Sequence, residues 1–296
     1  MLPGFAGSRA HASIQSGFDK PRGWLFASAS CRGVVAFPAP FAVQAGGDPC
    51  LDAPAMKLAR LDDGPEIFHT LQGEGPSAGS PAVFVRAALC NLQCVWCDSS
   101  HAWKLDETDA PAPGGASRAF VEIDPAEVAE RVLAFDCPRL VLTGGEPMLQ
   151  QAAWIEMLRR FRRSRHDAIV EVETNGTLPP EPDFDRMADQ YNVSPKLANS
   201  GMPESRRLVS ESLAHFASSP KAWLKFVVSR PADLDEIDRL VSRFSLPASR
   251  ILLMPEGCDV ESLDRRAAWL APACLDRNFR LGDRLHIRLW GDRPGT

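Results

Sequence analysis

From about residue 65 onward the chain alternates short β-rich runs with segments of helical periodicity. That alternation confines the fold to βαβ units, with a mainly parallel sheet and right-handed crossovers. Residues 82–86, 140–142, 169–172, 223–228, 251–253 and 285–290 read as strands. Asp124-Pro125-Ala126-Glu127 supplies an N-cap, a proline at the first helical position and an acid at the third, so a helix of about three turns is expected there, with Val128, Val132 and Phe135 on one face. Two more helices are expected over 150–163 (Trp154, Met157, Leu158, Phe161) and 232–243 (Leu234, Ile237, Leu240, Val241). Polar, glycine-bearing turns close three strands: Thr143-Gly144-Gly145-Glu146, Glu173-Thr174-Asn175-Gly176 and Met254-Pro255-Glu256-Gly257. Parallel sheets bind ligands at this edge, beyond the carboxyl ends of their strands.

The 296 residues carry 33 Lys and Arg against 38 Asp and Glu, a net charge of −5 that offers no attraction for nucleic acid or an anionic membrane. No apolar run approaches the roughly 18 residues of a spanning helix. Residues 1–55 hold seven charged side chains, and Ala, Gly, Ser and Pro fill 29 of their positions. They bury too little apolar surface to offset their conformational entropy, so a poorly ordered extension is expected before a catalytic domain over 56–296. A targeting segment, or a start codon properly placed at Met56, are the alternatives for this stretch. The polar segment 106–117 reads as a surface loop.

Eight cysteines are too few for a disulfide framework in so long a chain, which favours a reduced, cytoplasmic setting. Three of them form Cys90-x3-Cys94-x2-Cys97. Thiolates are soft ligands, and three on one compact loop reach three corners of an iron–sulfur cubane while leaving its fourth iron open. The same residues with His101 also make a Cys3His zinc set. In Thr143-Gly144-Gly145-Glu146-Pro147, paired glycines let a ligand approach the backbone and Glu146 offers acceptors to an ammonium group. A plain tight turn is the alternative.

Together, CNLQCVWC and TGGEP resemble the radical S-adenosylmethionine enzymes. That resemblance implies a [4Fe-4S] cluster on the three cysteines, S-adenosylmethionine chelated to the open iron, and a 5′-deoxyadenosyl radical that abstracts hydrogen from substrate. Further segments narrow it. Glu66-Ile67-Phe68-His69-Thr70-Leu71-Gln72-Gly73-Glu74-Gly75 precedes the cluster motif; Cys97-Asp98-Ser99 and Ala102-Trp103 follow it. Glu173-Thr174-Asn175-Gly176-Thr177, Ser194-Pro195-Lys196 and Leu289-Trp290-Gly291 come later, in order. This combination is similar to the 7-carboxy-7-deazaguanine synthase family, from about residue 65 to the C-terminus.

The resemblance implies an open, partial β/α barrel that contracts 6-carboxy-5,6,7,8-tetrahydropterin to 7-carboxy-7-deazaguanine with loss of ammonia, on the route to queuosine and other 7-deazapurines. It assigns Cys90, Cys94 and Cys97 to the cluster and Leu71, Gln72, Gly73, Arg86, Thr143 and Thr296 to the pterin. Gly145, Ser194, Pro195, Lys196, Met254, Pro255, Glu256 and Gly257 fall to S-adenosylmethionine. Glu173 and Asp98 become the candidates for proton transfer. The family's Mg²⁺ ligand is a threonine hydroxyl; Ser99 stands there and keeps the hard oxygen without the stiffening β-branch. An electron donor such as flavodoxin and a homodimeric state are also expected. The alternatives are an activating enzyme for a glycyl-radical protein and, from another class, a zinc-stabilised binding module. On the residues alone, Arg86 also fits a surface strand end, His69 and His101 fit local hydrogen bonding, His286 fits either a sheet or a pocket, and Trp96 fits a shield over the cluster.

Overall fold

The computed structural model describes residues 54–104 and 120–296. The expectations for residues 1–53 and 106–117 lie outside them. In chain order the described elements are β1 (Met56–Leu61), β2 (Gly64–Pro65), β3 (Ile67–Leu71), β4 (Pro81–Ala87), β5 (Phe120–Ile123), α1 (Pro125–Leu133), β6 (Arg139–Gly144), α2 (Gln151–Ser164), β7 (Ile169–Thr174), α3 (Pro182–Met187) and β8 (Gln190–Val193). Then follow α4 (Glu204–Arg207), α5 (Ser210–Ser218), β9 (Ala222–Val228), α6 (Asp233–Phe244), β10 (Ile251–Pro255), α7 (Val260–Arg277), β11 (Arg280–Leu281) and α8 (Leu285–Trp290).

One sheet runs β11-β10-β9-β8-β7-β6-β4-β1-β2 and does not close, with β3 added to β4 and β5 to β1. From β4 through β6 to β11 every pairing is parallel, whereas β1, β2, β3 and β5 join antiparallel. Helices intervene between successive parallel strands, so all those strands end at the same edge. The expected partial β/α barrel is the observed one. No helix among the described residues is long and apolar enough to cross a membrane.

Period-2 alternation along each strand divides the sheet into two chemically different faces. Val83 and Val85 of β4, Leu140 and Leu142 of β6, Val170 and Val172 of β7, Tyr191 of β8, and Leu224 and Phe226 of β9 pack outward into one core with Trp154, Met157, Leu158 and Phe161 of α2 and Ile237 and Leu240 of α6. The intervening residues are largely polar: Arg86, Thr143, Glu171, Glu173, Asn192 and Lys225. Doubly covered parallel strands normally read as continuous apolar runs. Here the inner face divides: Ala82, Phe84 and Val141 form a small apolar cluster with Phe68, and the polar residues occupy other positions, most of them nearer the carboxyl ends of the strands.

One expected strand is a helix. Residues 285–290 alternate Leu, Ile and Leu, which suits period 2, but six residues cannot discriminate the two periods. Local bonds decide it: Ile287 N–H and Arg288 N–H donate to the Arg284 carbonyl at 3.1 and 3.3 Å, and Gly291, at φ 73°, ends the turn by donating to Ile287. Arg288 adds a bond from Nε to Asp283 at 2.6 Å.

Candidate active site

Strand β4 leads into the cysteine loop through Leu89, whose φ of 71° turns the chain sharply. The loop is then fastened to the turn after β6: Gly145 N–H donates to the Ala87 carbonyl at 2.9 Å and Glu146 N–H to the Leu89 carbonyl at 2.8 Å. The paired glycines answer to this contact. A Cβ on Gly144, which sits at φ 130°, would lie 2.2 Å from the Ala87 oxygen, and one on Gly145 would lie 2.0 Å from the Leu89 oxygen. Close approach of backbone to backbone, as much as to a ligand, fixes glycine there. Glu146 departs from the expected ammonium acceptor. It is fully buried, taking Met148 N–H at 3.0 Å, Thr174 Oγ1 at 2.8 Å and Asn175 N–H at 2.7 Å. It braces the turn from behind.

Cys90, Cys94 and Cys97 are free thiols that line one cleft. Burial pushes the Cys90 thiol up to about 11, opposed by its bond from Leu92 N–H. Burial also raises Cys94, with the Lys196 ammonium pulling the other way. Among the described residues no three His, Cys, Asp or Glu side chains converge on a point that one metal ion could occupy. His101, the fourth ligand of the zinc alternative, instead pairs with Glu66 at 2.9 Å. Trp96 lines the cleft beside the motif cysteines; its Nε1 donates to Asn199 at 3.2 Å and its ring centroid lies 5.4 Å from Lys196 Nζ. A second indole, Trp103, donates from Nε1 to Cys97 Sγ at 3.3 Å.

The inward polar residues form a connected wall. Glu173 accepts from Thr143 Oγ1 at 2.7 Å and from Gln72 Nε2 at 3.1 Å. Gln72 also reaches Glu171 at 2.6 Å, and that buried carboxylate further accepts from Ser77 at 2.6 Å, Arg139 at 3.0 Å and Asn192. Burial raises Glu171 above the usual carboxylate range even so. Arg86 lines the cleft and gives its Nε to Glu66 at 2.7 Å; its terminal nitrogens make no protein hydrogen bond among the described residues. Burial opposes ionisation of Glu66, but His101 and Arg86 hold it below its ordinary value.

A second network was not evident from the sequence. Glu74 lies between Lys225 and Arg284, with 2.9 Å to Arg284 Nε. Arg284 extends to Asp98 and, at 2.6 Å, to the Gly257 carbonyl. Burial works against ionised Glu74, yet the two cations outweigh it and hold the carboxyl far below the usual range. His286 also lines the cleft, where burial lowers its pKa. A Cβ on Gly73 would lie 2.0 Å from His286 Nδ1. The Gly73 backbone therefore passes close against this ring. The signals lay in the sequence unread: one lysine inside Ala222–Val228, and an acid in the LQGEG segment with no role assigned. The cleft has a cavity volume of about 240 Å³ and opens to solvent at its mouth.

Residues 85–197 match the Radical SAM superfamily. The 7-carboxy-7-deazaguanine synthase of Pyrobaculum aerophilum is 38% identical over 231 residues, covering 78% of this chain and 95% of that protein. The chain belongs to the 7-carboxy-7-deazaguanine synthase family. The synthase of Halobacterium salinarum is 34% identical over 267 residues, 83% of this chain and 94% of its own. In fold, the chain resembles the crystal structure of QueE from Escherichia coli, with a TM-score of 0.54 at 24% identity over 78% of this chain and 95% of that one. Membership in this family implies a [4Fe-4S] cluster and S-adenosylmethionine. These relatives favour neither the activating-enzyme nor the zinc-module alternative.

Of the positions that the family resemblance gives to S-adenosylmethionine, Gly145, Ser194, Lys196, Met254, Glu256 and Gly257 line the cleft. Pro195 and Pro255 are buried and do not line it. Lys196 donates to Ser194 Oγ at 3.0 Å, and Glu256 is tied to Arg266 at 2.8 Å. Leu71, Gln72, Gly73, Arg86, Thr143 and Thr296 share the same lining, as do Asp98, Ser99 and Glu173.

Proposed function

We propose that this protein contracts 6-carboxy-5,6,7,8-tetrahydropterin to 7-carboxy-7-deazaguanine with release of ammonia, a step in queuosine and 7-deazapurine formation. One observation carries the reading: the three motif cysteines and the wall of Gln72, Arg86, Thr143 and Glu173 line the same cleft. The donor set fits the cluster, since three soft thiols on one loop that do not gather on a single ion suit three separate irons. When bound, the cluster and S-adenosylmethionine supply the one-electron chemistry that starts the contraction.

The chain's own residues bind and orient. The terminal nitrogens of Arg86 offer a planar fork to the substrate carboxylate, while Glu66 fixes the guanidinium through Nε. Glu173 accepts from Thr143 and Gln72 and retains lone pairs for a pterin N–H, which makes it the better placed proton carrier. Asp98 is committed to Arg284 and serves to position it. Ser99 is the proposed oxygen ligand of Mg²⁺, an ion that keeps several waters and needs few protein donors. A one-electron donor such as flavodoxin, a homodimeric state and a cytoplasmic location belong to the same proposal.

Anaerobically reconstituted protein given dithionite, S-adenosylmethionine, Mg²⁺ and the carboxy-tetrahydropterin is expected to yield the deazaguanine acid. Iron-loaded protein that leaves the pterin unchanged contradicts the reading. Arg86→Lys keeps the charge but loses the fork, so kcat/KM is expected to fall about tenfold or more. Steady-state kinetics with an unchanged kcat/KM would remove Arg86 from the carboxylate role. Residues 56–296 are proposed as the catalytic domain, because β1 opens at Met56 with that side chain fully buried. Deleting residues 1–55 should leave cluster content and turnover intact; loss of either in a folded truncation contradicts this boundary.

A further inference from the structure

Trp103 is the side chain that the family roles leave idle although it touches a cluster cysteine. Its Nε1 stands 3.3 Å from Cys97 Sγ. An indole N–H can only donate, so the sulfur is the acceptor whatever its protonation state. The contact is held by local structure: Ala102 N–H donates to Ser99 O at 3.0 Å, Trp103 N–H to Ser100 O at 3.2 Å, and Leu89 N–H to Ala102 O at 2.9 Å. The indole is thus pinned to the strand end that launches the cysteine loop. Lys104 Nζ lies 5.9 Å from the ring centroid, where a cation withdraws electron density from the ring and sharpens its N–H as a donor. Cys90 receives its nearest N–H from the backbone of Leu92 at 3.4 Å, a bond that no side-chain change alters. Two other side chains approach these sulfurs at longer range, Ser99 Oγ at 3.8 Å from Cys97 Sγ and Asn175 Nδ2 at 4.0 Å from Cys90 Sγ, so among the described residues the indole makes the shortest side-chain contact to the set.

We propose that Trp103 sets the reduction potential of the cluster by hydrogen bonding to the Cys97 thiolate. One-electron reduction adds a negative charge that spreads onto the sulfurs, and a donor fixed on one sulfur stabilises the reduced state more than the oxidised one. Trp103 is therefore a positioning residue in the electronic sense: it touches the ligand, not the substrate. The proposal rests on the reading of Cys90, Cys94 and Cys97 as cluster ligands.

The test is a potentiometric titration followed by electron paramagnetic resonance on reconstituted wild type and Trp103→Phe, with iron and sulfide counted in each. Both proteins should load the cluster. At the potential that half-reduces the wild type, the reduced-to-oxidised ratio of the variant should fall about three- to tenfold, tenfold being 59 mV for a one-electron couple. A loaded variant with the wild-type midpoint overturns the proposal. Should Trp103→Phe fail to load, β-(3-benzothienyl)alanine at position 103 keeps the bicyclic shape without the N–H, and the same shift is expected. Pulsed resonance on reduced wild type carrying ¹⁵N-indole tryptophan should show a nitrogen coupling that disappears in Trp103→Phe, in which Trp96 remains. No coupling in the wild type overturns the proposal. A wild type that takes up no iron overturns the cluster reading, and the hydrogen-bond proposal with it.

Discussion

Gly145→Ala is expected to strip the protein of its cluster and lower turnover by about 100-fold or more while leaving the fold in place. The added Cβ would lie 2.0 Å from the Leu89 carbonyl oxygen and 3.2 Å from the Cys90 nitrogen. Both are backbone atoms of the cysteine loop, so no side chain can swing away to absorb the clash. The loop or the turn must move. Either movement breaks the bonds from Gly145 N–H to Ala87 and from Glu146 N–H to Leu89. Misplacement by about 1 Å is enough for a 100-fold loss where reacting groups must sit in near contact. Overpacking of this kind costs about 1–3 kcal/mol, which a domain with roughly 5–15 kcal/mol of stability survives. Iron content and circular dichroism separate the two effects. Normal iron with normal turnover would show that the turn does not position the loop.

Glu74→Gln is expected to destabilise the fold by about 3–5 kcal/mol, the scale of breaking a buried ion pair from one side. The amide keeps the shape but leaves Lys225 and Arg284, both buried, facing each other without their shared carboxylate. The effect carries a pH signature. Folding holds Glu74 ionised far below the ordinary value of 4.5, so its contribution is complete above the pH at which the unfolded chain protonates, about 4.5, and drains away as pH falls further. The stability gap between wild type and Glu74→Gln should therefore be constant near neutrality and shrink in acid. Glu171, raised by burial, has the opposite slope in both proteins and cancels in the difference. Urea titrations at pH 7 and below 4.5 measure the gap. A gap that is the same at both contradicts the assignment of charge at Glu74.

Strands β4, β6, β7, β9 and β10 and helices α1, α2 and α6 were legible from their apolar periodicities, with Gln151–Ser164 and Asp233–Phe244 differing from expectation by a residue at each end. The short α3, α4, α5 and β11 were not expected, nor was α7, whose interior Pro272 breaks the helical signal. The last helix was read as a strand, since the alternation of Leu285, Ile287 and Leu289 over six residues fits one as well. Strand β8 was not among the expected strands, because in its four residues only Tyr191 and Val193 are apolar, too short a run to carry a period. Alternation within the strands reports the site. Glu173 and Lys225 line the cleft, and Glu171 is buried behind Gln72 and Asn192, all from strands whose alternate residues face the core. The cysteines were readable from spacing alone. Arg284 and Asp98 were not readable as a pair, because 186 residues separate them and only the barrel brings them together. Nor could spacing tell that Glu146 faces inward to its own turn, which depends on where Asn175 and Thr174 end β7.

The central claim is that Cys90, Cys94 and Cys97 carry the redox group of a pterin ring contraction. It is tested most directly by comparing wild type with the triple Cys→Ala variant under anaerobic single-turnover conditions, with the products identified by mass spectrometry. Wild type should release 7-carboxy-7-deazaguanine together with ammonia, and the folded triple variant should release neither. Product from the triple variant, or none from a wild type holding its full iron content, would contradict the account.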